Sequence, residues 1–167
     1  HVRNKDKEES IGGVVSNRKE LYRILEPYKA HIMSGHTHFN EKITERANIV
    51  EHVHGTVCGA WWTGPICYDG TPSGYGVYEV NGSEVQWYYK STGQPKEHQL
   101  RVYPAGAVAD KPEHIAANVW NWDPEWKVEW LEDGKNMGQM ERMTTLDPLS
   151  VELHLGAAKP SRHKWVE

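Results

Sequence analysis

The pattern of hydrophobic residues in the first sixty positions is helical in one segment and strand-like in two others. Residues 16–28 carry apolar side chains three and four positions apart, which predicts an amphipathic helix. Asn17 is the predicted N-cap of this helix, with Glu20 as its capping-box partner. The short apolar run 31–34 predicts a buried strand, and the Val- and Ile-rich segment 47–59 predicts one or two more. The predicted apolar face of the helix comprises Leu21, Ile24, Leu25 and Tyr28.

A β-hairpin is the clearest local prediction. Two alternating apolar segments, 76–80 and 83–90, flank the dipeptide Asn81-Gly82. Asn-Gly between such segments is the strongest short signal for a hairpin turn. One face of the second strand is then formed by Val85, Trp87 and Tyr89.

The remainder of the chain is predicted to be all-β. The polar segment 91–99 contains Gly and Pro and is typical of a linker. Beyond it, apolar patterning predicts strands at 100–103, 114–122, 126–130 and 151–155, with a hairpin turn at Asp133-Gly134. We therefore expect an α+β, mostly β fold: a β-sheet with one helix in residues 1–92, a linker at 93–99, and a small antiparallel β-sandwich-like domain at 100–167.

Composition narrows the class of protein. The 167 residues carry a formal charge of −4 and no long basic run, which argues against a general nucleic-acid-binding surface. No apolar run is long enough to cross a bilayer. Cys58 and Cys67 are expected to be free thiols, with a disulfide across the intervening hairpin as the alternative. Because the first residue is His1 and not Met, we expect the chain to be part of a longer protein.

Aromatic usage is uneven, with eight Trp and eight Tyr but a single Phe. Four of the tryptophans fall on the predicted strands of the C-terminal domain: Trp120, Trp122, Trp126 and Trp130. We expect these rings to fill its core, because large aromatics dominate core burial. The alternative is a surface that stacks on a sugar or a base.

The chemistry is concentrated in Gly35-His36-Thr37-His38, which follows the predicted strand 31–34. On an extended backbone His36 and His38 point to the same side, and two imidazoles suit zinc, manganese, iron or cobalt. The motif also lies at the carboxyl end of a strand, where ligand sites of α/β sheets usually lie. The alternative is a pair of solvated loop residues.

A second His-x-His, at His52 and His54, lies in the segment 47–59. An exposed strand face is the expected position of both side chains. The edge of a substrate pocket is the alternative.

Several strings resemble a bacterial branch of the calcineurin-like metallophosphoesterases. The Gly-His-Thr-His string resembles the last metal-binding motif of that family. Further strings carry the resemblance through the rest of the chain: residues 59–62 (GAWW), 69–75 (DGTPSGY), 87–90 (WYYK) and about 118–166. The resemblance implies that residues 1–92 are the C-terminal half of the catalytic core and that residues 100–167 are an appended β-domain.

The resemblance also implies a dinuclear metal site. By motif position His38 holds the first metal, and His36 holds the second together with His1; a residue left from a purification tag is the alternative for His1. The first three metal motifs of the family are not in this sequence, so we expect at most one weakly held cation and no turnover by this chain alone.

The function implied is that of the C-terminal portion of a phosphomonoesterase or phosphodiesterase. Four residues are expected to contact the phosphate-ester substrate: His54, Trp61, Trp62 and Tyr75. For the three aromatic residues, packing in the core or against the loop is the alternative. The open alternatives are a Trp-rich module that binds a glycan, a nucleotide or a protein, and a domain that only braces the core.

We further expect self-association through uncovered sheet edges. A periplasmic or secreted location is favoured over a cytoplasmic one.

Overall fold

The computed structural model describes residues 14–62 and 64–156. A three-stranded sheet organises the first part, with strands β1 (Ala30–Ser34), β2 (Glu41–Arg46) and β3 (Ile49–Val53) in the order β1-β3-β2. β1 runs parallel to β3, and β2 runs antiparallel to it. The predicted strand 31–34 is therefore confirmed, and the segment 47–59 contains one strand. β2 was not predicted, because only one of its six side chains is buried.

Helix α1 (Arg18–Leu25) covers one face of this sheet. Tyr22 packs on Ile49 of the central strand, with partly buried apolar residues around them: Leu21, Leu25, Ala30 and Ile32. Asn17 is the N-cap residue as predicted, but its side chain makes no capping hydrogen bond, so the capping box does not form. The helix ends at Leu25, shortly before Pro27, which has no N–H to continue the intrahelical hydrogen bonds.

The predicted hairpin is confirmed as strands β4 (Gly74–Asn81) and β5 (Glu84–Ser91). The two-residue turn is Gly82-Ser83, one position later than the Asn-Gly pair indicates, because Asn81 pairs with Glu84 in the ladder. Gly82 has φ 61°, as the first residue of a type II′ turn requires. The hairpin lies against the face of the three-stranded sheet opposite α1, where the Trp87 ring meets His52 edge-on at 4.8 Å.

Two further ribbons follow the hairpin. Strand β6 (Leu100–Tyr103) pairs with β7 (Ala116–Val119), and β8 (Glu129–Glu132) pairs with β9 (Lys135–Gln139), both antiparallel. The turn between β8 and β9 has positive φ at both Asp133 and Gly134, as a type I′ turn requires. These strands are shorter than the sequence indicates at 114–122 and 126–130.

The predicted last strand, 151–155, is wrong. Helix α2 (Pro148–Ser150) continues into a single π-helical turn, α3 (Val151–Leu155). Asp147 caps this segment by accepting the Ser150 N–H, and proline at the first helical position has its φ preset for a helix. These two local signals outweigh the β-like alternation of the apolar residues.

The fold class, α+β and mostly β, is confirmed. Trp120 is fully buried, and the Trp122 ring is covered by the Arg142 guanidinium at 4.1 Å, which favours a packing role for both rings. Cys58 and Cys67 are free thiols, as predicted. Over the described ranges, no helix has the length and apolar composition of a membrane span.

Candidate metal-binding loop

The loop after β1 carries the Gly-His-Thr-His motif in a strained conformation. His36 and His38 have φ of 82° and 59°, in the left-handed region. For a residue other than glycine this backbone conformation costs about 1–2 kcal/mol, and it persists only where the surrounding structure imposes it. The backbone is therefore bent rather than extended at both histidines, and the expectation based on an extended strand is wrong for this segment. Such strain is found at functional sites more often than elsewhere.

His38 is buried and has a defined orientation. Its Nδ1–H donates to the backbone carbonyl of Gly59 at 2.7 Å. A carbonyl oxygen only accepts, so Nδ1 carries the ring proton and Nε2 keeps its lone pair. Trp61 stacks on the imidazole with ring centroids 4.4 Å apart and planes 22° apart. A histidine whose other ring nitrogen donates to a carbonyl is the usual arrangement of a metal ligand.

His36 contrasts with His38, because its side chain is exposed. No group of three or more His, Cys, Asp or Glu suited to holding a metal occurs within residues 14–62 and 64–156. The third predicted ligand, His1, lies outside the described residues. This part of the chain thus supplies one oriented imidazole and one exposed imidazole, which fit a metal centre only as part of a larger set of ligands.

The segment 59–62 places aromatic rings beside His38. Trp61 and Trp62 have φ of 59° and 62°, so both occupy the left-handed region. Their exposed fractions are 45% and 77%, and Tyr75 on β4 is 49% exposed. Gly59 also has positive φ, and a Cβ there would lie 2.6 Å from the Ile66 carbonyl oxygen. The backbone therefore holds two large apolar rings partly in solvent next to the candidate ligand.

The fourth predicted substrate residue, His54, has different neighbours. Its Nε2 is hydrogen-bonded to the Tyr78 hydroxyl at 2.6 Å. Its ring lies flat against Gly76, where a Cβ would approach to 2.5 Å. His54 thus belongs to the packing between β3 and the β4–β5 hairpin.

A buried histidine cluster occupies the same interface, and the prediction of an exposed His52 is wrong. His52 is 0% exposed because the hairpin covers this face of the sheet. His31 Nδ1 and His52 Nε2 are hydrogen-bonded at 3.0 Å. Burial, together with the nearby charges of His31 and Lys42, lowers the pKa of His52 to about 3. The parallel register of β1 and β3 brings His31 beside this strand, and the sequence carries no signal of that register.

A buried turn holds the far end of the metal loop, and sequence reasoning missed its role. The string at 69–72 is a turn, as its residue types indicate. Asp69 Oδ2 accepts the Asn40 N–H at 2.8 Å, and its carboxylate also accepts from the Thr71 N–H and hydroxyl. Burial raises the pKa of Asp69, although these donors oppose the shift. The Tyr68 N–H donates to the His38 carbonyl at 3.1 Å.

Comparison with known proteins gives one match. A family model described as the C-terminal region of calcineurin-like phosphoesterase matches residues 51–167. The match spans more than two thirds of the chain and begins within β3, after the loop that carries His36 and His38. Searches of curated proteins and of solved structures each found no match.

Proposed function

The chain belongs to the family defined by the C-terminal region of calcineurin-like phosphoesterases, and from this premise we propose that it forms the C-terminal part of a metal-dependent hydrolase of phosphate monoesters or diesters. The observation that supports this best is the hydrogen bond from His38 Nδ1 to the Gly59 carbonyl. That bond leaves the Nε2 lone pair available to a cation.

Within the described part of the chain, two residues would act as metal ligands. His38 would bind through Nε2, with its ring held in place by Gly59 and by the stacked Trp61. His36, exposed at the same loop, would bind a second cation. A pair of divalent cations would supply a metal-bound hydroxide and stabilise the negative charge that develops on the phosphate. The other ligands would come from segments outside this sequence.

The organic part of the ester would lie against the exposed aromatic rings. Trp62 is the most exposed of these, and Trp61 links the surface to His38 by stacking. Tyr75 would extend this wall from β4. We assign no substrate contact to His54, because its Nε2 is already hydrogen-bonded to Tyr78.

The first experiment measures metal content. The chain is equilibrated with Mn²⁺, Zn²⁺ or Co²⁺, desalted and analysed, beside His36→Ala and His38→Ala. His114→Ala is the matched control, because its side chain is 54% exposed and it lies far along the chain in another loop. In the isolated chain we expect the two imidazoles to share one weakly bound cation, which is lost in both variants and kept in the control. Equal metal content in all four proteins would rule out the site.

The second experiment measures turnover of bis(p-nitrophenyl) phosphate with added Mn²⁺. We expect no turnover by this chain and clear turnover by a longer parent protein that includes the missing ligands. His38→Ala in that parent should abolish turnover, because it removes a ligand held in the required tautomer. Rapid turnover by the isolated chain would show that the metal centre does not depend on further segments.

A further inference from the structure

The 68–70 turn is the direct support of the candidate metal loop. The Tyr68 N–H donates to the carbonyl of His38 at 3.1 Å, and Asp69 accepts the Asn40 N–H at 2.8 Å. The turn therefore holds the backbone at a strained histidine and two residues after it. A shift of the turn would move the His38 ring away from its position against Gly59.

Side chains that come later in the chain hold this turn in position. Three consecutive carbonyls of the turn each accept one hydrogen bond: Tyr68 from Ser150 Oγ at 2.6 Å, Asp69 from Asn118 Nδ2 at 2.7 Å, and Gly70 from Arg101 Nη1 at 2.7 Å. These donors lie on three different elements, α2, β7 and β6. The turn is thus tied to three separate elements through its backbone, so its position depends on where these elements lie.

Asp147 joins these donors into one unit. Its Oδ2 accepts from the Tyr103 hydroxyl at 2.8 Å and from Asn118 Nδ2 at 2.9 Å, and its Oδ1 accepts the Ser150 N–H at 2.9 Å. The carboxylate also lies directly on the turn, since a Cβ on Gly70 would be 2.1 Å from its Cγ. Only glycine permits this approach.

We propose that Asp147 is a positioning residue for the metal ligand His38, acting through the 68–70 turn. This inference rests on the proposed function. A carboxylate that accepts three hydrogen bonds orients Asn118 and Ser150 toward the turn carbonyls, and the turn then holds His38 through Tyr68. The C-terminal region would in this way set the geometry of a metal site that it does not itself enter.

The test compares Asp147→Asn with the matched control Asp110→Asn. Asp110 also accepts a hydrogen bond, from the Thr145 hydroxyl at 2.6 Å, but its side chain is exposed to solvent. Asp147→Asn keeps the size of the side chain but removes its charge and replaces one of its two acceptor oxygens with an NH₂ donor. Two quantities are measured on the whole chain: Co²⁺ affinity by visible absorption, and hydrogen exchange of the Tyr68 and Asn40 amides by NMR.

We expect Asp147→Asn to weaken Co²⁺ binding about tenfold, the lower end of the range for supporting residues around metal ligands. Both amides should exchange at least about tenfold faster, while amides of the β4–β5 ladder keep their wild-type rates. Asp110→Asn should change none of these values. If Asp147→Asn does not fold, Tyr103→Phe takes its place. This variant removes one hydrogen-bond donor to Asp147 but keeps the Asp147 charge, and it should give smaller changes in the same direction.

The outcomes separate this inference from the proposed function. If the wild-type chain binds no Co²⁺, the proposed function fails. Hydrogen exchange then still tests the link from Asp147 to the turn, and unchanged exchange at Tyr68 and Asn40 in Asp147→Asn would overturn that link. If the wild-type chain binds Co²⁺ and His38→Ala abolishes binding, but Asp147→Asn binds as the wild type does, the positioning role is wrong and the proposed function stands.

Discussion

Lowering the pH should destabilise this protein through the imidazole of His52. The side chain is fully buried between the three-stranded sheet and the β4–β5 hairpin. Its surroundings disfavour a positive charge, because His31, Lys42 and His54 all lie near it and all raise the energy of the protonated form. Burial lowers the pKa of His52 to about 3, compared with 6.5 for a solvated histidine. The folded state therefore keeps this ring neutral where the unfolded chain protonates it.

The size of the effect follows from the two pKa values. Above pH 6.5 neither state binds the proton, so the full stability is present. As pH falls from 6.5 toward 3, the unfolded state takes up a proton that the folded state excludes, and stability falls by about 1.4 kcal/mol per pH unit. At pH 5 the loss is about 2 kcal/mol, a large fraction of a typical domain stability of about 5–15 kcal/mol. The lowered pKa values of His31 and His54 add to the loss with the same sign.

The assay is urea unfolding of the wild type, His52→Asn and the control His114→Asn at pH 7.5, 6 and 5. Removing His52 also removes its hydrogen bond to His31, so the variant is expected to be less stable at pH 7.5. Between pH 7.5 and 5, the wild type and the control should each lose about 2 kcal/mol more than His52→Asn does. If the wild type and His52→Asn show the same pH dependence, the ring is not excluded from protonation in the folded state and the reasoning is wrong.

Two further predictions concern buried contacts. Lys42→Met should destabilise the fold by about 3–5 kcal/mol in urea unfolding, because it leaves the buried Asp123 carboxylate without its ion-pair partner. Adding Asp123→Asn should recover most of that loss, and no recovery would show that the unpaired charge is not its cause. Gly70→Ala should cost more than the roughly 1–2 kcal/mol of a left-handed alanine, because its Cβ would meet Asp147. In an Asp147→Ala background the same change should cost only that backbone amount, whereas an equal cost in both backgrounds would exclude the clash.

Local signals explain which predictions hold. Turn residues act through the φ angles that they permit, and both predicted hairpins form, with Gly82 and the pair Asp133-Gly134 at positive φ. The predicted helix face holds only in part: Leu21 and Leu25 pack with Tyr22 against the sheet, whereas Ile24 and Tyr28 are exposed. The recognisable strings around Gly59 and in the C-terminal region agree with the family match.

The prediction for His52 is wrong because a distant segment changes the surroundings of the residue, and β2 was missed because its own side chains give little signal. The sequence pattern places His52 on an exposed face of a strand, but the β4–β5 hairpin, more than twenty positions later in the chain, covers this face. β2 has one buried side chain, and its strand conformation depends on the backbone hydrogen bonds of β3. The periodicity of hydrophobic residues does not show which distant segment packs on a strand face, and that packing decides whether a residue is buried.

The sequence by itself determined the class of protein, the turns and the two histidines of the candidate metal loop, because these depend on residue type and on neighbours a few positions away. Only the tertiary structure decided which nitrogen of His38 is free and how Asp147 reaches its loop. The first property depends on a hydrogen bond between His38 and Gly59, which are 21 positions apart. The second depends on the close approach of the Asp147 carboxylate to Gly70, much farther away along the chain. Folding alone brings such residues together.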